Sequence, residues 1–171
     1  MKKNLVLTGM MGVGKTTVGK RLAERLSCEF VDIDKLIEEK EGCSINQIFK
    51  NKSESYFRKI ENDLSLKALK KTNLVISLGG GAFLNKMIRK SVKNSAVSFW
   101  LDINIIILAK RLSHSKKRPL LFKKNVKSTI NKIYLERKKI YSQSDFKIKC
   151  DFLKTDKIVE QILKVYEKTN N

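Results

Sequence analysis

Gly9-Met10-Met11-Gly12-Val13-Gly14-Lys15-Thr16 constrains this chain more than any other stretch, because it completes the pattern G-x-x-x-x-G-K-[ST]. The pattern carries meaning only between a strand and a helix, and both flanks are present. Leu5-Val6-Leu7-Thr8 is a short β-rich run, and beyond it Val18, Leu22 and Leu26 recur at four-residue spacing, which predicts a helix over Lys15–Leu26. Glycines let the backbone curl until successive N–H groups and the helix N-terminus converge on one point, as a chain of phosphate oxygens requires. In that setting Lys15 reaches the β- and γ-phosphates and the Thr16 hydroxyl reaches a Mg²⁺ ion. The loop therefore predicts binding of a nucleoside triphosphate and fixes the start of the fold as strand, loop, helix.

The rest of the chain keeps alternating. Strands are expected over Asn4–Thr8, Phe30–Asp32, Leu74–Leu78, Ala96–Leu101 and Phe146–Lys149. Helices are expected near Lys86–Val92, Asn104–Leu112, Val126–Tyr141 and Asp156–Lys168, with a long helical region around Ser44–Lys70 that opens on the capping box Ser44-Ile45-Asn46-Gln47. Such alternation predicts right-handed crossovers, hence a three-layer α/β/α architecture with a five-stranded, mainly parallel sheet. At 171 residues the whole chain, 1–171, reads as one domain. Ligands of such sheets sit beyond the carboxyl ends of the strands, so the functional residues belong in strand-to-helix loops.

Composition removes several classes. The longest apolar runs, such as residues 105–109, fall far short of the roughly 20 needed to cross a bilayer, and the N-terminus lacks a leader pattern. No membrane partner is expected, and the protein is placed in the cytoplasm. Cys28, Cys43 and Cys150 are widely spaced, and His114 is the one histidine, so a disulfide framework or zinc site is not expected. The cysteines read as reduced, half-buried small residues. The formal charge of +20 attracts polyanions, yet only seven of the 37 basic residues are arginine. The excess reads as general lysine enrichment, and no specific nucleic-acid partner is expected.

Further along the chain, Asp32 and Asp34 lie at the end of the second strand, two residues apart, which on a strand aims both at the same side. One can hold Mg²⁺ and the other can orient an attacking hydroxyl. Alternatively, Asp34 is only the N-cap of a helix at Lys35–Glu39. Gly79-Gly80-Gly81 follows the third strand and lets backbone approach a ligand where a side chain would collide. Arg58 with Glu61 is either a braced guanidinium or an exposed helix pair. Residues 110–139 hold twelve Lys or Arg against the single acid Glu136.

In their order, Asp32/Asp34, Phe57-Arg58, Gly79-Gly80-Gly81, Arg118-Pro119-Leu120-Leu121 and Arg137 resemble the motifs of shikimate kinases, and the likeness runs through nearly the whole chain. The resemblance implies a P-loop kinase fold of the nucleoside monophosphate kinase type. It also implies phosphoryl transfer from ATP to the 3-hydroxyl of shikimate, giving shikimate 3-phosphate and ADP in aromatic amino-acid biosynthesis. Lys15, Asp34 and Arg118 are then the catalytic residues, with Asp34 on the 3-hydroxyl. Gly12, Val13, Gly14, Lys15, Thr16, Thr17, Arg111 and Arg118 hold the nucleotide, Arg111 by stacking on adenine. Arg58 and Arg137 take the shikimate carboxylate, and Gly79, Gly80 and Gly81 touch the ring through backbone. Ile45, Phe49 and Phe57 look like its apolar walls, or equally like core. Thr16 and Asp32 hold one Mg²⁺, since the triple glycine stands where a strand's acidic end would otherwise be. The acceptor region spans about 33–61 and a mobile lid about 113–125, with His114 a solvated lid residue, and the active form is expected to be a monomer. The sequence departs from the family in lacking the proline often found after the second arginine, at Lys138-Lys139-Ile140-Tyr141.

Two rivals share the phosphate loop. Another small-molecule kinase, acting on gluconate or a nucleoside monophosphate, would not need the triple glycine with two distant arginines. A basic nucleic-acid-binding NTPase would show salt-sensitive binding to DNA or RNA and take no small acceptor.

Overall fold

A strand buried along its entire length organises the molecule. β1 (Asn4–Thr8) lies between β3 (Leu74–Ser77) and β4 (Ala96–Asp102), with Leu7 opposite Ser77 on one side and Phe99 on the other. β2 (Glu29–Asp32) and β5 (Phe146–Lys149) form the edges, giving the order β2-β3-β1-β4-β5 with every pairing parallel. The computed structural model describes residues 3–113 and 126–170. Burial follows position: β1 and β3 are wholly buried, as parallel strands covered on both faces must be, whereas β2 and β5 are partly exposed.

Two helix pairs complete the three layers. α1 (Lys15–Leu26) packs on α8 (Thr155–Asn170), and α4 (Glu54–Lys70) packs on α5 (Lys86–Ser95). α6 (Ile105–Ser113) and α7 (Val126–Tyr141) lie against each other. The chain passes from β1 to an edge, returns to β3 on one side of β1, and then crosses to β4 on the other. That reversal opens a crevice at the carboxyl ends of the central strands, which is where the predicted loops meet.

Two sequence expectations need correction. The helix after β2 is α2 (Ile33–Glu41), longer than Lys35–Glu39, and its N-cap is Asp32, whose Oδ1 accepts from the backbone N–H of Asp34 and Lys35. Asp34 is in its first turn, one residue inside the helix, and is not the N-cap. The region Ser44–Lys70 is two helices, α3 (Ile45–Asn51) and α4, divided at Lys52-Ser53. Lys52 is extended, and Ser53 Oγ accepts from Tyr56 N–H at 3.1 Å to start the second helix. Lys52 Nζ reaches back 2.6 Å to Glu41 at the end of α2, so the break is tied to its neighbour. The capping box at Ser44 is present in both directions, as predicted.

Candidate active site

The loop after β1 closes over its own lysine. Lys15 Nζ donates to the carbonyls of Gly9 (2.9 Å) and Met10 (3.0 Å), which keeps the buried ammonium beneath the curl. Gly9 has φ +128°, and a Cβ there would lie 2.5 Å from the Leu101 carbonyl, so only glycine lets the chain leave β1 this close to β4. Gly14, at φ +104°, is the N-cap of α1. Gly12 packs toward Leu112 of α6, Val13 is buried, and Thr16 and Thr17 are exposed at the helix start. Lysine charge and helix N-terminus together make the loop a receptor for anionic oxygen.

The two aspartates face different tasks. Strand β2 ends at Asp32, so the two-residue strand period does not carry through to Asp34; the first turn of α2 aims Asp34 separately. Asp32 Oδ2 accepts from Thr16 Oγ1 at 2.6 Å, while its Oδ1 caps α2. A hydroxyl and a carboxylate thus stand together beside the phosphate loop, a set of hard oxygen donors that suits magnesium bound chiefly by phosphate and water. Among the described residues no group of three or more His, Cys, Asp or Glu could hold a metal. Asp34 instead points to the triple glycine: a Cβ on Gly79 would lie 2.6 Å from Asp34 Oδ1 and 2.5 Å from Glu61 Oε1. Gly79 is glycine because two carboxylates occupy the space of its side chain.

Around that loop the distant arginines meet. Arg58, on α4, donates through Nη1 to Glu61 Oε2 at 2.6 Å and through Nη2 to Glu54 Oε1 at 3.2 Å. Glu61 is 3% exposed, so this is no surface helix pair. Burial pushes the Glu61 carboxyl above the ordinary range, with Asp34 adding to the rise, while Arg58 and Arg137 pull against it. Burial works against the Arg58 charge, but Glu61 and Glu54 outweigh it and hold the guanidinium ionised. A Cβ on Gly81 would lie 2.8 Å from Arg58 Cζ, so this glycine makes room for the guanidinium. From α7, Arg137 Nη1 donates to the Gly80 carbonyl at 2.9 Å. Phe57 is buried and its ring lies 4.8 Å from that of Phe49, while Ile45 and Phe49 pack partly buried against the core.

On the far side of the phosphate loop, Trp100 lies under Gly9, with Tyr141 6.0 Å away ring to ring and Lys147 Nζ 4.4 Å over the indole. Its indole N–H meets no acceptor among the described residues. Asp102, closing β4, pairs with Lys147 at 2.8 Å and accepts from Tyr134 of α7 at 3.1 Å. Burial pushes the Tyr134 phenol up to about 12, and Asp102 reinforces the shift. Arg111 is exposed at the end of α6, close enough to Cys150, after β5, for its charge to act on that thiol. His114, Arg118 and the lid beyond Ser113 lie outside the described residues. Of the predicted residues, Asp34, Arg58, Gly79, Gly80, Gly81 and Arg137 come together in one cleft and Lys15, Thr16 and Asp32 in an adjoining one. Arg111 stands apart at the rim.

Sequence reading missed two members of this cleft. Glu54 is a second carboxylate on Arg58, one turn before it. Tyr141 donates to the Gly80 carbonyl beside Arg137. Its position four residues after Arg137 on the same helix places both on one face, the signal that could have found it.

A five-stranded parallel sheet with the phosphate loop at its switch point, and a carboxylate between two arginines beside it, defines a P-loop kinase for a small acceptor. The shikimate kinase family model matches residues 11–167. A shikimate kinase from Sulfurihydrogenibium sp. (strain YO3AOP1) is 43% identical over 161 residues, 94% of this chain and 96% of that one. The solved shikimate kinase from Acinetobacter baumannii, in complex with shikimate, superposes with a TM-score of 0.94 at 30% identity, covering 99% of this chain and 95% of its own. That from Aquifex aeolicus vf5 gives 0.86 at 37% identity, with 97% of each chain covered. The chain belongs to the shikimate kinase family.

Proposed function

We propose that this chain transfers the γ-phosphoryl group of ATP to the 3-hydroxyl of shikimate, giving shikimate 3-phosphate and ADP. The observation that carries the reading is the meeting of Arg58 and Arg137, from helices far apart in sequence, around a triple glycine beside Asp34. A small ring with one carboxylate and several hydroxyls needs a planar cation at one end and an acceptor at the other. Arg58, braced by Glu61 and Glu54, and Arg137 take the carboxylate, and Gly79, Gly80 and Gly81 let backbone lie against the ring. Asp34 accepts the hydrogen bond of the 3-hydroxyl and takes up its proton as the oxygen attacks the γ-phosphorus and the bond to the β-phosphate breaks. Gly12, Val13, Gly14, Thr16 and Thr17 cradle the phosphates, and Lys15 neutralises the transferring group. Arg118 adds a cation from the lid, and Arg111 lies against adenine. Thr16 and Asp32 would hold Mg²⁺, which when bound offsets charge on the β- and γ-phosphates.

The active unit is read as a monomer. The three cysteines are free, which suits the reducing cytoplasm. No helix among the described residues is long and apolar enough to cross a membrane. A coupled assay of ADP release over a panel of acceptors tests the reading. Turnover with shikimate well above that with gluconate and nucleoside monophosphates is expected, and no turnover with shikimate would overturn it. Salt-sensitive DNA or RNA binding without any small acceptor would favour the nucleic-acid NTPase instead.

A further inference from the structure

The three carbonyls of the triple glycine are held in two different ways. Gly79 O accepts from Ala82 N–H and Gly81 O from Leu84 N–H, each at 3.0 Å, within the 3₁₀ turn Ala82–Leu84 that follows. Gly80 O instead accepts two side-chain donors from α7, Arg137 Nη1 and the Tyr141 hydroxyl. A carbonyl has two lone pairs, so both are used. Tyr141 has no exposed surface, and burial pushes its phenol above the ordinary range against the pull of Arg137, so the hydroxyl stays protonated and donating at neutral pH. The peptide joining Gly80 to Gly81 is a trans plane; holding its oxygen fixes the opposed N–H of Gly81. That glycine lies against the Arg58 guanidinium.

We infer that Tyr141 is a positioning residue for the acceptor: its hydroxyl holds the Gly80 carbonyl, so that Arg137 can leave it for the acceptor carboxylate while the glycine peptide stays in place. The inference rests on the acceptor being shikimate, as proposed above. Without the hydroxyl, Arg137 faces two costs. It either stays on Gly80 and withholds itself from the carboxylate, or departs and leaves a part-buried carbonyl unpaired, which is unfavourable. Either way the loss falls on acceptor binding. The phosphate loop, holding its lysine with its own carbonyls, is not involved.

Tyr141→Phe removes one oxygen and keeps the ring. KM for shikimate should rise about tenfold, the scale of one hydrogen bond, with KM for ATP within about twofold of wild type. In the Tyr141→Phe/Arg137→Lys double variant the two effects should combine to less than their product, because both act through one carbonyl. Equal changes in both KM values would mark a merely structural role, and no change in either would leave the hydroxyl without one; each overturns the inference. Should the variant fold poorly, a crystal structure of the wild-type chain with shikimate supplies the test. Tyr141 on Gly80 O with Arg137 turned to the carboxylate supports the inference, and Arg137 still on Gly80, or Tyr141 withdrawn, overturns it. Failure of the wild type to phosphorylate shikimate would remove the functional reading as well, whereas an unaltered Tyr141→Phe on an active enzyme removes this inference alone.

Discussion

Asp34 is surrounded by groups that define its work more narrowly than its sequence position does. Its carboxylate shares the space beside Gly79 with Glu61, away from the Thr16–Asp32 pair. Asp34→Asn keeps the size and loses the charge, so kcat should fall about 10²–10⁴-fold with ATP affinity retained. A fall in ATP affinity with kcat intact would assign Asp34 to the metal instead. Glu61 makes a different prediction. Its folded-state carboxyl holds its proton more tightly than the ordinary value of 4.5, chiefly through burial. The folded chain therefore binds more protons than the unfolded one above that value, and this contribution to stability is lost as pH rises through the folded pKa. Glu61→Gln has no such term, so in thermal melts the wild type should lose stability relative to the variant as pH is raised from 4.5 toward neutrality. The variant should also raise KM for shikimate, since Arg58 loses its charged brace. A difference running the other way with pH would show that Arg58 dominates burial at Glu61.

At the scale of elements, what the sequence disclosed depended on whether its signals were local. Helix α1 spans Lys15–Leu26, as its four-residue spacing predicts, and α7 likewise fills Val126–Tyr141. The break between α3 and α4 was missed although the polar run Lys50-Asn51-Lys52-Ser53-Glu54-Ser55 crosses it and Ser53 is a local cap signal; only the Lys52–Glu41 tie joins residues that the fold has to bring together. In the cleft, Arg58 and Glu61 could be paired from their spacing, but Asp34 against Gly79 joins the first turn of α2 to the loop after β3 and needs the sheet order β2-β3 to bring them together. Ser53→Ala should cost about 0.5–2 kcal/mol, the range for a lost N-cap. Because Arg58 lies little more than a turn beyond the cap, KM for shikimate should rise while KM for ATP stays put. A melting temperature equal to that of the wild type would show that the Lys52–Glu41 tie starts the helix alone.

For the molecule as a whole, the +20 charge is claimed by two readings that diverge at one residue. If residues 113–125 form a lid, Arg118 meets phosphate only on closure, and Arg118→Ala should lower kcat far more than it weakens ATP binding without acceptor. Replacing Lys116 or Lys117 should matter much less, as exposed charges are screened at physiological salt. Comparable losses of polyanion binding at all three positions, each lowering the salt slope by about one, would identify a nucleic-acid surface. The phosphate loop and the triple-glycine cleft also share a neighbour. Trp100, the chain's single tryptophan, touches the phosphate loop at Gly9 and faces Tyr141, whose hydroxyl rests on Gly80. The protein thus carries a built-in optical probe whose emission should change as ATP fills the loop and again as shikimate draws Arg137 away from Gly80. Titrating each ligand by intrinsic fluorescence should yield two separate signals from one chromophore, and in Tyr141→Phe the acceptor's signal should be the one that alters.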